Sequence, residues 1–253
     1  MKTILYILLF LGVSFSGKAQ DTSPKNLFNQ ATQAYADEAY DKAIATYNQL
    51  LEQGQTSAAL YYNLANAYYK LNQVAESIYY YEKALQLSPN DKDIHNNLSF
   101  AKNMALDAIE EQPKTGLTRI YDKLSSIFDT TTWAWLSILF MLLGSLCIGV
   151  YFFTGSSFKK RLFFSFSMLS FFLGVLTSVV AFQQQQYLQA NTYAIVFEEE
   201  VSVKSEPNNS SSNAFLLHAG TKVEVLDSFN TFVKIALADG REGWITEKAV
   251  KQL

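Results

Sequence analysis

One cysteine, Cys147, stands in the 253 residues, and it lies inside an apolar run. An internal disulfide is thereby excluded, and so is a zinc site built on cysteine pairs. Histidine is nearly as scarce: His95 and His218 are the two in the chain, far apart in sequence. A histidine-based metal centre or catalytic group has little material. A surplus of basic charge is also missing. The formal net charge is −3, which removes the bulk electrostatic case for nucleic-acid binding. No glycine-rich phosphate loop, nucleophile elbow or metal-ligand pair at helical spacing occurs. The carboxylate runs Asp37-Glu38 and Glu198-Glu199-Glu200 have no orienting partner beside them and read as solvated charge. The expectation is a protein with no catalytic residues, cofactor or metal.

What the chain does have is uneven. Residues 20–131 and 183–253 read as soluble protein, whereas 133–182 is almost wholly apolar. The N-terminus has Lys2, an apolar stretch from Ile4 to about Val13, and small residues at Gly17 and Ala19. That pattern predicts a signal peptide over 1–19, too short for a comfortable span; an uncleaved anchor is the alternative. Either exports the chain from about Gln20 onward. No cysteine follows the apolar stretch, which excludes a lipoprotein modification.

Trp133–Phe153 and Leu162–Phe182 are runs of 21 residues each without a charged side chain. At about 1.5 Å per residue each reaches roughly 31 Å as a helix, matching a hydrocarbon core of about 30 Å. Trp133 and Trp135 open the first run, where amphipathic rings favour the headgroup level. The short loop between the runs, 154–161, carries Lys159, Lys160 and Arg161. Basic loops stay cytoplasmic, but Lys114, Arg119 and Lys123 precede the first span, so charge counting alone does not decide. Export of residues 20–131 breaks the tie. The expectation is a membrane hairpin, spans 132–153 and 162–182, with a cytoplasmic loop 154–161 and both flanks in the periplasm. Gly144, Ser145 and Gly149 in the first span leave room for close helix packing, in keeping with lateral association. Before the first span, Leu117, Ile120, Tyr121, Leu124 and Phe128 recur at helical spacing. They predict an amphipathic linker helix over 113–131, lying on the membrane or packed on the preceding domain.

Laid against itself at a period of 34 residues, the chain aligns Ala31 with Ala65, Ala43 with Ser77, Tyr47 with Tyr81 and Leu51 with Leu85. In residues 58–91, Tyr61, Leu64, Ala65, Tyr68, Ser77, Tyr81, Ala84 and Pro89 hold the spacing expected of a tetratricopeptide repeat. Small residues let paired helices approach, larger ones fill the gaps, and Pro89 ends the second helix. A weaker copy occupies about 24–57, and a third helix, from about Asp91 to Glu111, resembles a cap. The reading is an α-helical repeat array over 20–112. Such arrays present first helices along a concave face. That face should show Tyr62, Asn66, Tyr69 and Lys70, with Tyr35 from the first copy. They form either a peptide groove or helix-packing contacts. His95 reads as a surface or packing residue.

After a linker over 183–191 the pattern changes to short alternating strands, and 192–253 reads as a small all-β barrel. Asp239-Gly240 signals a tight hairpin. The series Val201, Val203, LLHAGT, VEVL, VKI and DGREGWI resembles a bacterial SH3-type domain, with Trp244 its most telling element. Trp244 is either core, the preferred assignment, or a ligand platform. His218, followed by Ala-Gly-Thr, is assigned to strand-turn geometry ahead of catalysis. The fold class is thus multidomain: a repeat array, a two-helix transmembrane hairpin and an SH3-like barrel.

The order of these modules, with YYNLANAYYKL, YEKALQLSPND, NNLSFAK, LLHAGTKVEVL and DGREGWI, resembles the E component of the Bacteroides-type aerotolerance (Bat) operon. Phe232 stands where this domain type carries tryptophan. The resemblance implies an assembly or scaffold role in oxygen tolerance and envelope stress. Its implied partners are membrane proteins with von Willebrand A domains and other products of the same operon. Peptidoglycan is the alternative ligand, held by the SH3-like domain. The implied location is the inner membrane. One outcome follows from the hairpin: a thiol reagent that cannot cross the inner membrane should leave a Ser157→Cys variant unlabelled in intact cells, and labelling there overturns the topology.

Overall fold

A computed structural model describes residues 23–109, 116–125, 127–190 and 192–253; for 117, 118, 122 and 187–190 it describes the backbone alone. The signal-peptide segment 1–19 lies outside the described residues. The chain divides into two compact units, 1–56 and 57–253.

In the first unit, helix α1 (Pro24–Ala36) starts with proline in its first turn, where a missing N–H costs nothing. Helix α2 (Tyr40–Glu52) returns after a turn in which Glu38 takes a left-handed conformation, φ 60°. Leu27, Ala31 and Ala34 of α1 are buried, as are Ala43, Tyr47 and Leu50 of α2. The Tyr47 ring meets Phe28 edge-on at 5.8 Å, and its hydroxyl lies 3.1 Å from Thr32 Oγ1. This is the helix pair expected of the weaker repeat copy.

The second unit opens with the clearer copy. Ser57 caps α3 (Ala58–Lys70), its Oγ accepting from Leu60 N at 3.1 Å. Helix α4 (Val74–Leu87) packs on it, and the rings of Tyr68 and Tyr80 stack at 5.5 Å. Asp91 caps α5 (Lys92–Lys102), accepting from Asp93 N and Ile94 N. The expected cap helix therefore ends nine residues short of Glu111. Residues past Asn103 leave the helical path, and Asp107 is drawn to a turn of the C-terminal sheet. Most of α4 is buried, including Ala75, Ser77, Ile78, Tyr79, Tyr80 and Tyr81. A helix covered over that wide an arc has neighbours on more than one side.

A short helix α6 (Gly116–Ser125) leads into α7 (Thr130–Phe153) and α8 (Ser157–Ala190), which among the described residues are the helices long and apolar enough to cross a membrane. They pair antiparallel. Ser137 Oγ donates to Gly174 O at 3.0 Å, Ser170 Oγ to Phe140 O at 2.6 Å and Ser167 Oγ to Gly144 O at 2.9 Å. Gly144 lies under the Phe171 ring and Gly174 under Met141. The hairpin itself thus occupies Gly144, which the sequence had suggested for lateral association. Leu142, Leu146, Met168 and Phe172 point outward. Helix α8 runs past both ends of the second apolar run, taking in Lys159–Arg161 and most of the presumed linker. Lys, Arg and Gln are good helix formers, so the helix need not stop where hydrophobicity does.

Seven strands follow: β1 (Thr192–Val196), β2 (Glu200–Lys204), β3 (Asn213–His218), β4 (Lys222–Phe229), β5 (Phe232–Ala236), β6 (Glu242–Thr246) and β7 (Val250–Gln252). The sheet is antiparallel in the order β3-β2-β6-β5-β4-β1-β7. Register shifts at Val203/Lys204 and Val225/Asp227 bend it. Val196, Val203, Leu217, Val223, Ile235 and Ile245 share one core. Leu217 of the terminal strand β3 and Ala249, next to β7 at the opposite end, both belong to that core, so the sheet curls around it. It is not a closed barrel, because β3 and β7 do not pair; β7 has three residues and pairs with β1. The expected hairpin joins β5 to β6, with Gly240 at φ 88°.

Gly243 is a close-approach position: a Cβ there would overlap Val203 Cγ1 and stand 2.9 Å from Lys204 O. Gly243→Ala should destabilise the sheet by about 1–3 kcal/mol, read as a lower thermal midpoint of the detergent-solubilised protein. An unchanged midpoint would mean that β2 and β6 have slack at this crossing.

Candidate functional site

On α3 the groove residues Tyr62 and Asn66 come together, one turn apart, and both are half-buried. Their partners are Tyr81 on α4 and Asn97 on α5. The Tyr81 hydroxyl donates to Asn66 Oδ1 in a short bond. Asn97 Nδ2 donates to the same oxygen at 3.0 Å and lies 2.8 Å from the Tyr62 hydroxyl. Two donors on one oxygen fix the orientation of the Asn66 amide. Among the described residues, Asn66 Nδ2 and Asn97 Oδ1 have no hydrogen-bond partner, which leaves a donor on α3 and an acceptor on α5. Tyr69 is half-buried and Lys70 exposed in the last turn of α3. Tyr35, in the first unit, is half-buried with its ring 5.4 Å from Tyr40. Sequence reasoning missed Asn97 and the polar role of Tyr81. The one signal was that Asn97 falls in the first helix of the next 34-residue period.

Trp244 is not core. Its strand neighbours Gly243 and Ile245 are buried, so the indole projects from the opposite face, half-buried and outside the core cluster. Its cross-strand partners there are Lys204 on β2 and Lys234 on β5. Lys204 Nζ donates to Asn213 Oδ1 at 2.7 Å, and Lys234 pairs with Glu242 at 2.7 Å. The arrangement is an aromatic surface flanked by two cationic side chains.

Polar chemistry is densest where α4, α5 and residues 103–109 meet the sheet. Glu82 on α4 is 7 % exposed and bridges Lys102 at 3.0 Å and Lys222 at 2.8 Å. Burial pushes the Glu82 carboxyl up, but the two ammonium groups outweigh it and hold the group below its usual range. Asp107 accepts from His218 N at 2.7 Å, from Thr221 Oγ1 at 2.5 Å and meets His218 Nδ1 at 2.8 Å. Desolvation raises Asp107, and the bonds from Thr221 and His218 bring it below the ordinary value. Between His218 and Thr221 the chain turns at Gly220, φ 91°, where a Cβ would stand 3.0 Å from Val74 and 3.1 Å from Ile78 of α4. Lys251 Nζ sits 4.5 Å from the Tyr79 ring centroid, and Tyr79 meets Phe197 edge-on at 5.7 Å. His218 thus serves turn geometry, with Asp107 as its partner. His95 lies 2.7 Å from Pro89 O, a packing contact at the start of α5. A cleft of about 970 Å³ lies along this junction, lined in part by Glu82, Lys102, Asp107, Tyr193 and Lys222.

Comparison with known proteins agrees with this division. Residues 58–91 match the tetratricopeptide repeat family and residues 199–251 the bacterial SH3 domain family. The chain therefore contains one of each. No curated protein matches the chain significantly. Among solved structures, a TPR repeats protein from Bacteroides fragilis is similar at 14% identity and TM-score 0.28, covering 66% of this chain and 78% of that one. The TPR2AB-domain:pHSP90 complex of yeast Sti1 is similar at 17% identity and TM-score 0.30, covering 64% of each chain.

Glu82→Ala leaves Lys102 and Lys222 facing each other with no anion between them. Both lysines reach solvent, so the expected loss is about 1–3 kcal/mol of docking stability, read as a second, lower unfolding transition or a depressed midpoint. The pH dependence has a definite sign. Both carboxyls are depressed in the folded state, so their contribution is fully present above about pH 4–5, the unfolded carboxylate range. It is lost as pH falls through the lower folded values. A midpoint insensitive to Glu82→Ala would remove the ion pairs from the stability argument.

Proposed function

We propose that the protein is a non-enzymatic scaffold of the inner membrane. In this reading it presents one composite surface, repeat plus SH3-like sheet, to the periplasm for assembly of an envelope-stress or aerotolerance complex. Tetratricopeptide repeats and bacterial SH3 domains are consistent with protein–protein or cell-wall binding. The whole-chain resemblance supplies the aerotolerance setting and the expected partners, membrane proteins with von Willebrand A domains.

The carrying observation is the Asn66–Asn97 pair. A peptide group has one acceptor and one donor, and Asn66 Nδ2 with Asn97 Oδ1 offers the complementary pair, already oriented by Tyr81 and Tyr62. The chemistry suits the backbone of an extended segment, with Tyr69 as apolar contact and Lys70 as a cation at the end of the helix. The repeat–sheet junction supports the topology. Residues before α7 and after α8 contact each other, as His218 and Asp107 do, which suits two crossings with both flanks on one side.

A second reading, a cell-wall sensor that binds peptidoglycan through the SH3-like sheet, is favoured by Trp244 with Lys204 and Lys234 on the outer face. Co-purification from native membranes in mild detergent separates the two. Recovery of von Willebrand A domain proteins, reduced about tenfold by Tyr62→Ala with Asn66→Ala at unchanged protein level, is the expected result. Retention untouched by those substitutions removes the groove. Wall fragments without protein partners transfer the function to the sheet.

A further inference from the structure

We propose that Lys159, Lys160 and Arg161, at the turn of the α7–α8 hairpin, form a headgroup site for anionic phospholipid. The inference rests on α7 and α8 spanning the membrane. From residue 130 to residue 197 the sequence has three charged side chains, all positive, and they are these. The nearest carboxylates along the chain, Asp129 and Glu198, lie past the far ends of the two helices. At about 1.5 Å per residue, the 24 residues of α7 put Asp129 roughly 36 Å from the turn. Among the described residues no carboxylate pairs with any of the three cations. Lys160 is half-buried, its Nζ 5.7 Å from the Tyr151 ring centroid, and Lys159 and Arg161 are exposed. Helix stability does not account for them. They open α8, whose first turn has no acidic residue, and the helix dipole opposes positive charge at that end.

Charge sign selects an anion, and depth selects a lipid. Residues 154–156 alone separate the two helices, and Thr154 N still bonds Val150 O at 3.1 Å. No long loop carries the cations out into bulk water. Arg161 abuts Leu162, the first residue of the second apolar run. At about 1.5 Å per residue, Lys159 stands roughly 4.5 Å outside that run, within a headgroup layer about 5–7 Å deep. Phe158 lies on the water side of Lys159 and is 75 % exposed, while Phe152 and Phe153 at the end of α7 are 73 % and 94 % exposed. Rings on both sides of the cations keep the turn at the acyl boundary instead of lifting it into water. A soluble acidic partner would have to displace headgroups to reach the three side chains. A second copy would add three more cations. The phosphate of an anionic lipid is already at their height, and the lysine and arginine stems let the charged ends settle on it.

The test uses full-length protein in phosphatidylcholine nanodiscs, with Cys147→Ser and a thiol fluorophore at Ser157→Cys, or at Ile138→Cys as a span control. A minor fraction of the lipid is phosphatidylglycerol or phosphatidylcholine carrying a nitroxide quencher high on its acyl chain. The expected result is quenching at residue 157 at least about threefold stronger with labelled phosphatidylglycerol than with labelled phosphatidylcholine. That preference is lost when Lys159→Gln, Lys160→Gln and Arg161→Gln are combined, with quenching at 138 unchanged, and is kept by Lys159→Arg with Lys160→Arg. Equal quenching by the two lipids at 157 overturns the site and leaves the cations to a soluble acidic partner. A preference that survives the three glutamines overturns the assignment to these residues. Quenching at 138 with none at 157 takes the turn out of the headgroup layer and overturns the site, while the spans stand. No quenching at 138 overturns the spans, and the site with them.

Discussion

The buried carboxylate of Glu82, held between Lys102 and Lys222, is the interaction on which the larger unit depends. It joins three segments that the chain separates widely: the second repeat helix, the cap helix, and a strand entered only after both apolar helices have been made. A lone ionised carboxylate at this depth costs several kcal/mol, so Glu82 is tolerable on α4 only when both lysines arrive. The ion pairs are therefore a condition on register as much as a source of stability. If β4 slid by one residue along β1, Lys222 would pass to the other face and Glu82 would lose a partner.

Asp107 makes the same demand from the opposite direction. Its carboxylate collects bonds from His218 and Thr221 on either side of the Gly220 turn. That turn lies so close to Val74 and Ile78 that a side chain at 220 would press on both. The polar and steric constraints fall on the same four residues. They explain why α4 is covered so widely: the face that would meet a following repeat helix in a longer array meets the cap helix and the sheet here. The single matched repeat gains from the sheet the coverage that neighbouring repeats give one another in solenoids.

Legibility in the sequence followed the range of the interaction. The repeat helices, the apolar pair and the strands were readable because periodicity is local. The 34-residue period placed helix starts near 58 and 91, and Asp239-Gly240 announced a hairpin within a few residues. The junction was not readable. Glu82 and Lys222 are 140 positions apart, and each alone reads as solvated charge. The ends of α5 and α8 were misjudged for related reasons. Asp107 pulls the chain out of a helix its composition permits, and nothing opposes helix through the glutamines after Phe182. Core was the preferred of two assignments for Trp244, although the buried Gly243 and Ile245 beside it force an indole on that strand to the outer face.

In the proposed reading of the groove, a polar network matters more to recognition than an exposed side chain. Asn66 has lost the use of its carbonyl oxygen, which takes bonds from Tyr81 and Asn97. That loss prevents the amide from turning over, so its N–H₂ faces one way before any segment arrives. Asn97 is held by its own N–H₂ and keeps its carbonyl. Ordering two side chains on binding costs about 0.5–1.5 kcal/mol each; here much of that ordering is done on folding by Tyr62 and Tyr81. Tyrosine at position 81 consequently serves two ends, its ring buried between helices and its hydroxyl setting the amide. Phenylalanine there would keep the ring packing and remove one of the two bonds that fix the Asn66 amide, leaving the bond from Asn97, so in the proposed reading it loosens the groove without unpacking the repeat.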